Sequence, residues 1–394
     1  MKFNNNFSRL PASYVFASLA AKKALAKKKW GDELIDLGIG DVKLPLFGCV
    51  KDEMQKAAEE LTKTDKFKGY PPSAGYDFLR NLIAEDYKKS GINITPDEIF
   101  VNDGAKGELF SLNALLDGKS RILFPVPCYP AGIESAILFG NEPIFLKADE
   151  NQSFYPPFSA RYDAIYLCSP SNPSGKAFNR QELEMWINYA ISTNAAIFFD
   201  GAYSDYVSDG GVKSIFEIEG AKRCAAELRS FSKGYGFTGL RLGYIVIPKE
   251  QPELNKLRAR LSGCLDNGVS YVTQRGGAAC FSEEGQAEMK KRVNYYKTNA
   301  EIIRRSFEKT GAKCLPGNDS PYVYAKCPEG YTDETFCSFL SDKAGVITTP
   351  GKGFYEENGE FFRASAFLFR DDALKAADRI SSLGQDISRS GHPG

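Results

Sequence analysis

The middle of the chain alternates short, uninterrupted apolar runs with segments of helical spacing, and this alternation restricts the fold more than any other feature. The apolar runs lie at 99–101, 121–124, 164–168, 196–199 and 242–247. Segments with helical spacing occur between them at 106–116 and 181–192. Strands that are apolar on both faces have to be covered on both faces, so the pattern predicts an α/β fold.

The loops that follow three of these strands are expected to converge on one crevice. They begin at Asp103, Ser169 and Asp200, where each strand ends. In open α/β sheets, ligands bind beyond the carboxyl ends of the strands. A long helical pattern at 283–309 follows, and we expect it to link this part to a smaller α/β unit.

Charge and histidine content exclude several classes of function. Lys plus Arg and Asp plus Glu number 50 each, so the chain has no overall basic charge for nucleic acid or an anionic membrane. The single histidine, His392, excludes a Ser-His-Asp or Cys-His catalytic system and a multi-histidine metal site. Proton transfers in an enzyme of this sequence must therefore involve Lys, Tyr, Asp, Glu or a cofactor.

The nine cysteines show no CxxC spacing, which indicates reduced thiols rather than a disulfide framework or a zinc site. This pattern predicts a cytoplasmic protein. The apolar run 14–21 is short and is followed by two lysines, so we expect an amphipathic helix there rather than a secretion signal. No stretch is long and apolar enough to span a membrane.

The segment from Ser230 to Gly243 carries the strongest chemical pattern. Lys233 lies among small residues, hydroxyl groups and aromatic side chains, an environment that suits a Schiff-base lysine. Ser230, Ser232 and Arg241 offer donors for a dianionic phosphate. On these residues alone, a glycine-rich surface loop with an ordinary lysine is an equally good interpretation.

Four further positions suit a flat, charged cofactor, and each has a plain structural alternative. Asp200 ends an apolar strand, where a protonated pyridine nitrogen would justify a buried carboxylate; a turn residue is the alternative. Tyr203 and Asn172 could bond a phenolic oxygen, but a core tyrosine and an Asn-Pro turn are equally ordinary. Tyr129 could stack on a ring or simply pack in the core.

Two more segments suit anionic ligands. The helix that starts after Gly104 leaves free N–H groups for a phosphate at Ala105 and Lys106. Its glycine spacing does not match a nucleotide-binding motif. Arg363 stands in an apolar segment, where either a substrate carboxylate or an internal acidic side chain would justify it.

In their order along the chain, these motifs resemble the fold-type-I pyridoxal-phosphate aminotransferases. The matching elements are DGAK at 103–106, CYP at 128–130, SNPSG at 171–175, Asp200 with Tyr203, and SFSK at 230–233 with Arg241 eight residues later. The resemblance implies a large domain with a mostly parallel seven-stranded sheet covered by helices, and a smaller α/β domain built from both termini. The expected divisions are 1–46 for an N-terminal arm and part of the small domain, 47–284 for the cofactor domain and 285–394 for the small C-terminal domain.

A narrower resemblance is to the LL-diaminopimelate aminotransferases. It rests on the segments 10–16, 37–42, 102–106, 214–218 and 230–233. It implies transfer of an amino group between an amino acid like LL-diaminopimelate and a keto acid such as 2-oxoglutarate. It also implies a homodimer with shared active sites.

The resemblance assigns a role to each site residue. Lys233 would be the Schiff-base lysine and would carry a proton between the substrate's α-carbon and the cofactor. Asp200 would pair with the pyridine nitrogen, and Arg363 would bind the substrate's α-carboxylate. The other implied cofactor ligands are Asn172 and Tyr203 at the phenolic oxygen, Tyr129 on the ring, and Ser230, Ser232, Arg241, Ala105, Lys106 and Tyr70 of the partner subunit at the phosphate. The other implied substrate contacts are Tyr14, Gly40, Lys106, Asn172, Asn267 and Ser73.

Two positions depart from the family pattern. Ser73 stands where the family usually has a Glu that reads the distal end of diaminopimelate, and such a charged hydrogen bond is worth roughly 1.5–3 kcal/mol, about ten- to a hundredfold in affinity. Leu368-Phe369 stands where the family tends to have glycine. Three alternatives therefore stay open: the same fold and cofactor acting on a less polar amino acid, a pyridoxal-phosphate lyase or oxidase, and an inactive cofactor-binding protein.

Overall fold

The structure is a computed structural model that describes residues 1–11, 15–148, 154–157, 159–265 and 267–384. Within these ranges the strands are β1 (Ile35–Asp36), β2 (Ile99–Asn102), β3 (Arg121–Val126), β4 (Glu142–Lys147), β5 (Ala164–Cys168), β6 (Ala196–Asp200), β7 (Ala225–Ser230), β8 (Gly243–Val246), β9 (Lys313–Cys314), β10 (Tyr322–Lys326), β11 (Val346–Ile347), β12 (Thr349–Pro350) and β13 (Phe361–Ser365). The α-helices are α1 (Val15–Trp30), α2 (Gly48–Glu60), α3 (Asp77–Lys89), α4 (Ala105–Ala114), α5 (Pro130–Leu138), α6 (Arg180–Thr193), α7 (Phe231–Gly234), α8 (Pro252–Leu265), α9 (Tyr271–Ala279), α10 (Glu283–Glu308), α11 (Asp333–Ala344) and α12 (Arg370–Ser382).

Seven strands form the central sheet, in the order β2-β8-β7-β6-β5-β3-β4. Strand β8 runs antiparallel to both of its neighbours, β2 and β7, whereas the pairings among β3, β4, β5, β6 and β7 are parallel. Every residue of β2 and β5 is buried, as expected for strands covered on both faces. The predicted α/β fold with a mostly parallel seven-stranded sheet is confirmed.

Strands β4 and β7 have no counterpart among the apolar runs of the sequence. Strand β4 is the edge of the sheet and is partly exposed, so its residues do not form an apolar run. Strand β7 is central but contains Glu227 and Arg229. These two side chains pair at 2.7 Å, and Glu227 also accepts a hydrogen bond from Tyr87 at 2.5 Å, so the charged residues are satisfied inside the core.

The helix ends follow from local capping. The Asn179 side chain accepts a hydrogen bond from the Glu182 N–H at 2.9 Å, and the Glu182 carboxylate accepts from the Asn179 N–H at 2.8 Å, so α6 begins with a capping box. Helix α6 ends at Asn194, which has a left-handed φ of 60°. The Ser282 hydroxyl caps α10 by accepting from the Gly285 N–H at 3.0 Å. Both helices match the predicted segments within two residues.

A smaller unit combines segments from the two ends of the chain. Strand β1 pairs in parallel with β11, and β12-β13-β10-β9 forms an antiparallel sheet. Helices α10 and α12 cover this sheet, and their apolar residues share a separate buried cluster with β10 and β13. The domain boundaries at 46/47 and 284/285 stay predictions. No helix within the described ranges is both long and apolar enough to cross a membrane.

Candidate functional site

A cavity of about 310 Å³ lies at the carboxyl ends of the parallel strands. Its wall includes residues from the segments that follow β2, β5, β6 and β7, so the predicted convergence of loops is confirmed. Helix α4 begins beside it. The predicted site residues that line this cavity are Gly40, Ala105, Lys106, Tyr129, Asn172, Asp200, Tyr203, Ser230, Ser232, Lys233, Arg241 and Arg363.

Three of the predicted site residues that the structure describes are not part of this wall. Tyr70 and Asn267 are exposed and Ser73 is half-buried, and none of the three lines the cavity. Tyr14 lies outside the described residues. The family pattern assigns Tyr14, Tyr70 and Asn267 to the neighbouring subunit's site, which a single chain does not test. Their roles, and that of Ser73, stay predictions.

Lys233 lies in α7, the short helix that follows β7. The Ser230 hydroxyl accepts from the Ser232 N–H at 3.2 Å and caps this helix. The Lys233 Nζ donates a hydrogen bond to the Gly40 carbonyl. Burial lowers the pKa of Lys233 to about 8, while Asp41 acts against this shift. A substantial fraction of the amine is therefore neutral near physiological pH, as a nucleophile requires.

Asp200 ends β6, and its buried carboxylate lines the cavity. One oxygen accepts from the Tyr166 hydroxyl at 2.7 Å and the other from the Ala202 N–H at 3.1 Å. Among the described residues, no basic side chain forms an ion pair with it. Burial raises the pKa of Asp200, and these two hydrogen bonds only partly oppose the shift. The site thus holds a buried carboxylate suited to a cation supplied by a ligand.

Hydrogen-bond donors for an anion also line the cavity. Arg241 donates from Nη1 to the Ser232 hydroxyl at 3.5 Å and to the Thr238 carbonyl at 3.1 Å, and it has a left-handed φ of 58°. A Cβ at Gly104, whose φ is 117°, would lie 2.4 Å from the Arg241 Nη2, so only glycine allows this approach. The first turn of α4, which starts at Ala105, adds backbone N–H groups.

Arg363 is fully buried on β13 and faces the cavity. Its guanidinium donates to the Asn172 side-chain oxygen at 2.8 Å and to the Gly38 carbonyl at 2.5 Å. The rings of Tyr322 and Phe354 lie on its guanidinium, with centroids 4.4 Å and 4.7 Å from Cζ. These contacts hold the guanidinium at the cavity wall, where a guanidinium can bind a carboxylate through two hydrogen bonds.

Sequence analysis missed several residues of the wall. Asp41, Thr238 and Tyr322 line the cavity, and Tyr322 is buried in a strand whose apolar pattern carries no functional signal. Leu368 is buried in the smaller core and Phe369 is exposed at the start of α12; neither lines the cavity. Their bearing on the choice of substrate stays a prediction. No cluster of metal ligands occurs within the part of the chain that the structure describes.

Comparison with known proteins agrees with this geometry. Residues 32–380 match the protein family described as aminotransferase class I and II. The chain is 39% identical over 402 residues to an LL-diaminopimelate aminotransferase of Agathobacter rectalis, covering 97% of this chain and 100% of that protein. The solved LL-diaminopimelate aminotransferase of Chlamydomonas reinhardtii has a TM-score of 0.90 at 32% identity, over 97% of this chain and 98% of that one. A mutant aspartate aminotransferase of Thermus thermophilus, 21% identical over 97% of this chain and 100% of that one, shares the fold with a TM-score of 0.85.

Proposed function

The chain belongs to the class I and II aminotransferases, and from this premise we propose that it transfers an amino group between LL-diaminopimelate and a keto acid such as 2-oxoglutarate. It is an enzyme of the fold-type-I class and depends on pyridoxal phosphate. The observation that carries the proposal is that an amine, a buried carboxylate and a buried guanidinium face one cavity, at Lys233, Asp200 and Arg363. The names of relatives at 39% and 32% identity support the choice of substrate.

The residues of the cavity fit the cofactor. When bound, pyridoxal phosphate supplies an electron-withdrawing ring that stabilises negative charge on the substrate's α-carbon. Asp200 would pair with the protonated ring nitrogen, because a carboxylate this deeply buried is stabilised by a cation. Arg241, Ser232 and the first N–H groups of α4 would hold the phosphate, together with Ser230. Tyr129 would stack on the ring.

Lys233 would hold the cofactor covalently and, once released, take the proton from the substrate's α-carbon. A general base is most effective when its pKa lies close to the working pH. Burial brings the pKa of Lys233 to about 8 from the ordinary 10.5, so the neutral amine is accessible without strong alkali. The Gly40 carbonyl, which accepts from Nζ, aims the amine into the cavity.

Arg363 would bind the substrate's α-carboxylate and, at the same time, orient a cofactor ligand. Its bond to the Asn172 side-chain oxygen leaves the Asn172 amide group as a donor. Asn172 and Tyr203 would both donate to the cofactor's phenolic oxygen. The two aromatic rings on the guanidinium restrict its orientation, so the carboxylate is bound in a defined place.

We propose that Asp41 would pair with the distal end of the substrate. Diaminopimelate carries a second ammonium group, and the family's usual Glu partner for it is Ser73 in this chain. The side chain of Asp41 is about half exposed at the cavity wall and lies 3.6 Å from Lys43. A carboxylate at this place would pair with a distal ammonium in a partly solvated setting, where such a pair is worth about 1 kcal/mol or less.

The remaining assignments require a second copy of the chain. We propose a homodimer in which Tyr14, Tyr70, Asn267 and the loop around Ser73 contribute to the partner's site. Tyr70 is 85% exposed in the single chain, so its side chain is accessible to a second copy. We also propose a cytoplasmic location, on the basis of the reduced cysteines.

The test is a spectrum of the purified, cofactor-loaded protein during addition of LL-diaminopimelate. We expect the visible band of the lysine-bound cofactor to disappear and 2-oxoglutarate to restore it. Lys233→Ala is the matched control, because it removes the amine while the rest of the cavity stays in place. Loss of the band with another amino acid but not with diaminopimelate would refute the substrate.

A different amino acid is the second candidate, and the observation that favours it is Ser73. Without the family's Glu, a substrate that lacks a distal ammonium loses less binding energy than diaminopimelate does. A panel of single amino acids in the same spectral assay separates the two candidates. Product formation without any keto acid would instead indicate a lyase or oxidase, because transamination stops after one turnover in that condition.

A further inference from the structure

Tyr322 lies at the meeting point of the groups that we assign to the cofactor and to the substrate. Its hydroxyl is 2.7 Å from the hydroxyl of Tyr203, its ring lies against the Arg363 guanidinium at 4.4 Å, and it lines the main cavity. A Cβ at Gly40 would lie 2.1 Å from its hydroxyl, so the 38–41 loop packs directly on it. Nothing in its strand marks it for a role other than packing.

We propose that Tyr322 is a positioning residue: it donates its hydroxyl proton to the Tyr203 oxygen and thereby directs the Tyr203 proton to the phenolic oxygen of the cofactor. This inference rests on the proposed function, because it needs the cofactor to be bound at Lys233. In this role Tyr322 does not touch the reacting atoms; it acts through Tyr203, which contacts the cofactor.

The direction of the hydrogen bond follows from counting donors. Each tyrosine hydroxyl has one hydrogen and can accept from other groups. With the cofactor bound, the Tyr203 hydrogen points to a negatively charged oxygen, since charge-assisted hydrogen bonds are about twice as strong as neutral ones. The contact of 2.7 Å with Tyr322 is then kept only if Tyr322 is the donor.

The two hydroxyls differ in how far burial raises their pKa. Tyr322 is almost completely buried. The charged or titratable groups around its hydroxyl are Tyr203, Tyr206, Cys168 and Arg363. Burial raises the pKa of Tyr322, whereas the nearby Arg363 guanidinium lowers it. Burial raises the pKa of Tyr203 further, well above its ordinary value, so Tyr322 is the better donor of the pair. Chains of such hydrogen bonds strengthen one another by about 10–30% per bond.

The stronger hydrogen bond from Tyr203 should change the pH at which the cofactor titrates, in a predictable direction. A better donor at Tyr203 stabilises negative charge on the phenolic oxygen, so the lysine-linked cofactor loses its proton at a lower pH. Tyr322→Phe removes the donor to Tyr203 and should raise the pH midpoint of the visible absorption change by up to about half a pH unit. Tyr203→Phe should raise it further, because the direct bond is lost.

The strand offers a matched control in Tyr324. It lies two residues along β10, is equally buried, and its hydroxyl has no hydrogen-bond partner among the described residues. Tyr324→Phe removes the same atom from the same strand and should leave the midpoint unchanged. Thermal unfolding of each variant checks that the fold is kept, and Tyr322→Leu offers a second removal of the hydroxyl if the first variant does not fold.

The decisive comparison is Tyr322→Phe in the Tyr203→Phe background. A residue that acts through Tyr203 has no effect once that hydroxyl is gone, so the double variant should have the midpoint of Tyr203→Phe alone. Equal shifts in both backgrounds, or no shift in the single variant while wild type shows a normal titration, would overturn the inference and leave the proposed function intact. A wild-type protein that binds no cofactor would overturn both.

Discussion

Replacement of Asp200 by asparagine separates a carboxylate that serves a ligand from one that serves the fold. In the structure, Asp200 has two hydrogen bonds, from Tyr166 and Ala202, and burial raises its pKa. The amide oxygen of asparagine can still accept one of these bonds, and its size is unchanged. What is removed is the negative charge.

We expect Asp200→Asn to weaken the interaction with the cofactor and to slow catalysis. Loss of one partner of a buried ion pair costs about 3–5 kcal/mol, because the other charge is left unpaired. With a tenfold change for each 1.36 kcal/mol, the first half-reaction should slow by about 10²- to 10⁴-fold. Stopped-flow measurement of the visible band after mixing with amino acid gives this rate directly.

The apoprotein should respond in the opposite direction. The pKa of Asp200 is raised in the folded apoprotein, so ionisation of this carboxyl lowers the free energy of unfolding. The loss begins above the ordinary pKa of Asp, about 3.9, and stops growing once the pH exceeds the raised pKa. Asp200→Asn should therefore leave the apoprotein as stable as wild type or more so at pH 7, with a difference that disappears as the pH falls to 4 or below. Melting curves with and without pyridoxal phosphate test this. If the variant lowers the melting temperature of the apoprotein as much as that of the loaded enzyme, the carboxylate is structural and the argument is wrong.

Three further changes test other parts of the site. The rate at which the apoprotein recovers its cofactor band should rise with pH and level off above about 8, since the neutral form of Lys233 reacts and burial has lowered its pKa; a continued rise toward 10.5 would contradict this. Arg363→Lys should raise KM for every amino acid substrate by about 10- to 100-fold, because a lysine cannot form the two parallel hydrogen bonds to a carboxylate, and initial rates over a substrate series would measure it. Asp41→Asn should raise KM for diaminopimelate up to about fivefold and leave KM for a monoamino substrate unchanged; equal effects on both would remove Asp41 from the distal site.

The parts of the fold that sequence reasoning predicted are those with a local signal. Strand β5 is apolar along its whole length and α6 has its own capping box, so each is visible in a short window. Strand β7 could not be found in this way, because Glu227 and Arg229 look like surface residues until Tyr87 and the pairing between them are known. The strand is buried because contacts with residues distant in the sequence satisfy its charged side chain.

The same limit applies to the site. Lys233, Asp200 and Arg241 were recognisable because motif spacing and an unusual residue type coincide at each of them. Tyr322 was not, since a tyrosine in a strand is ordinary and its importance comes from Tyr203, which is 119 residues away in the sequence. The structure of a single chain does not test residues such as Tyr70, because their expected contacts are with a second copy.

The anion-binding end shows how a local motif depends on a distant one. Asn102 accepts from the Gly104 N–H at 2.9 Å and donates to the Glu108 carboxylate at 2.9 Å, which orients the first turn of α4. Glu108 is in turn held by Arg258 through two bonds of 2.6 Å and 2.7 Å, in a pair that is almost completely buried. Arg258 is 150 residues from its partner, so no window of sequence contains both. Because removal of one member of such a pair costs about 3–5 kcal/mol, the helix end that would hold the phosphate owes its position to an arginine outside the cavity.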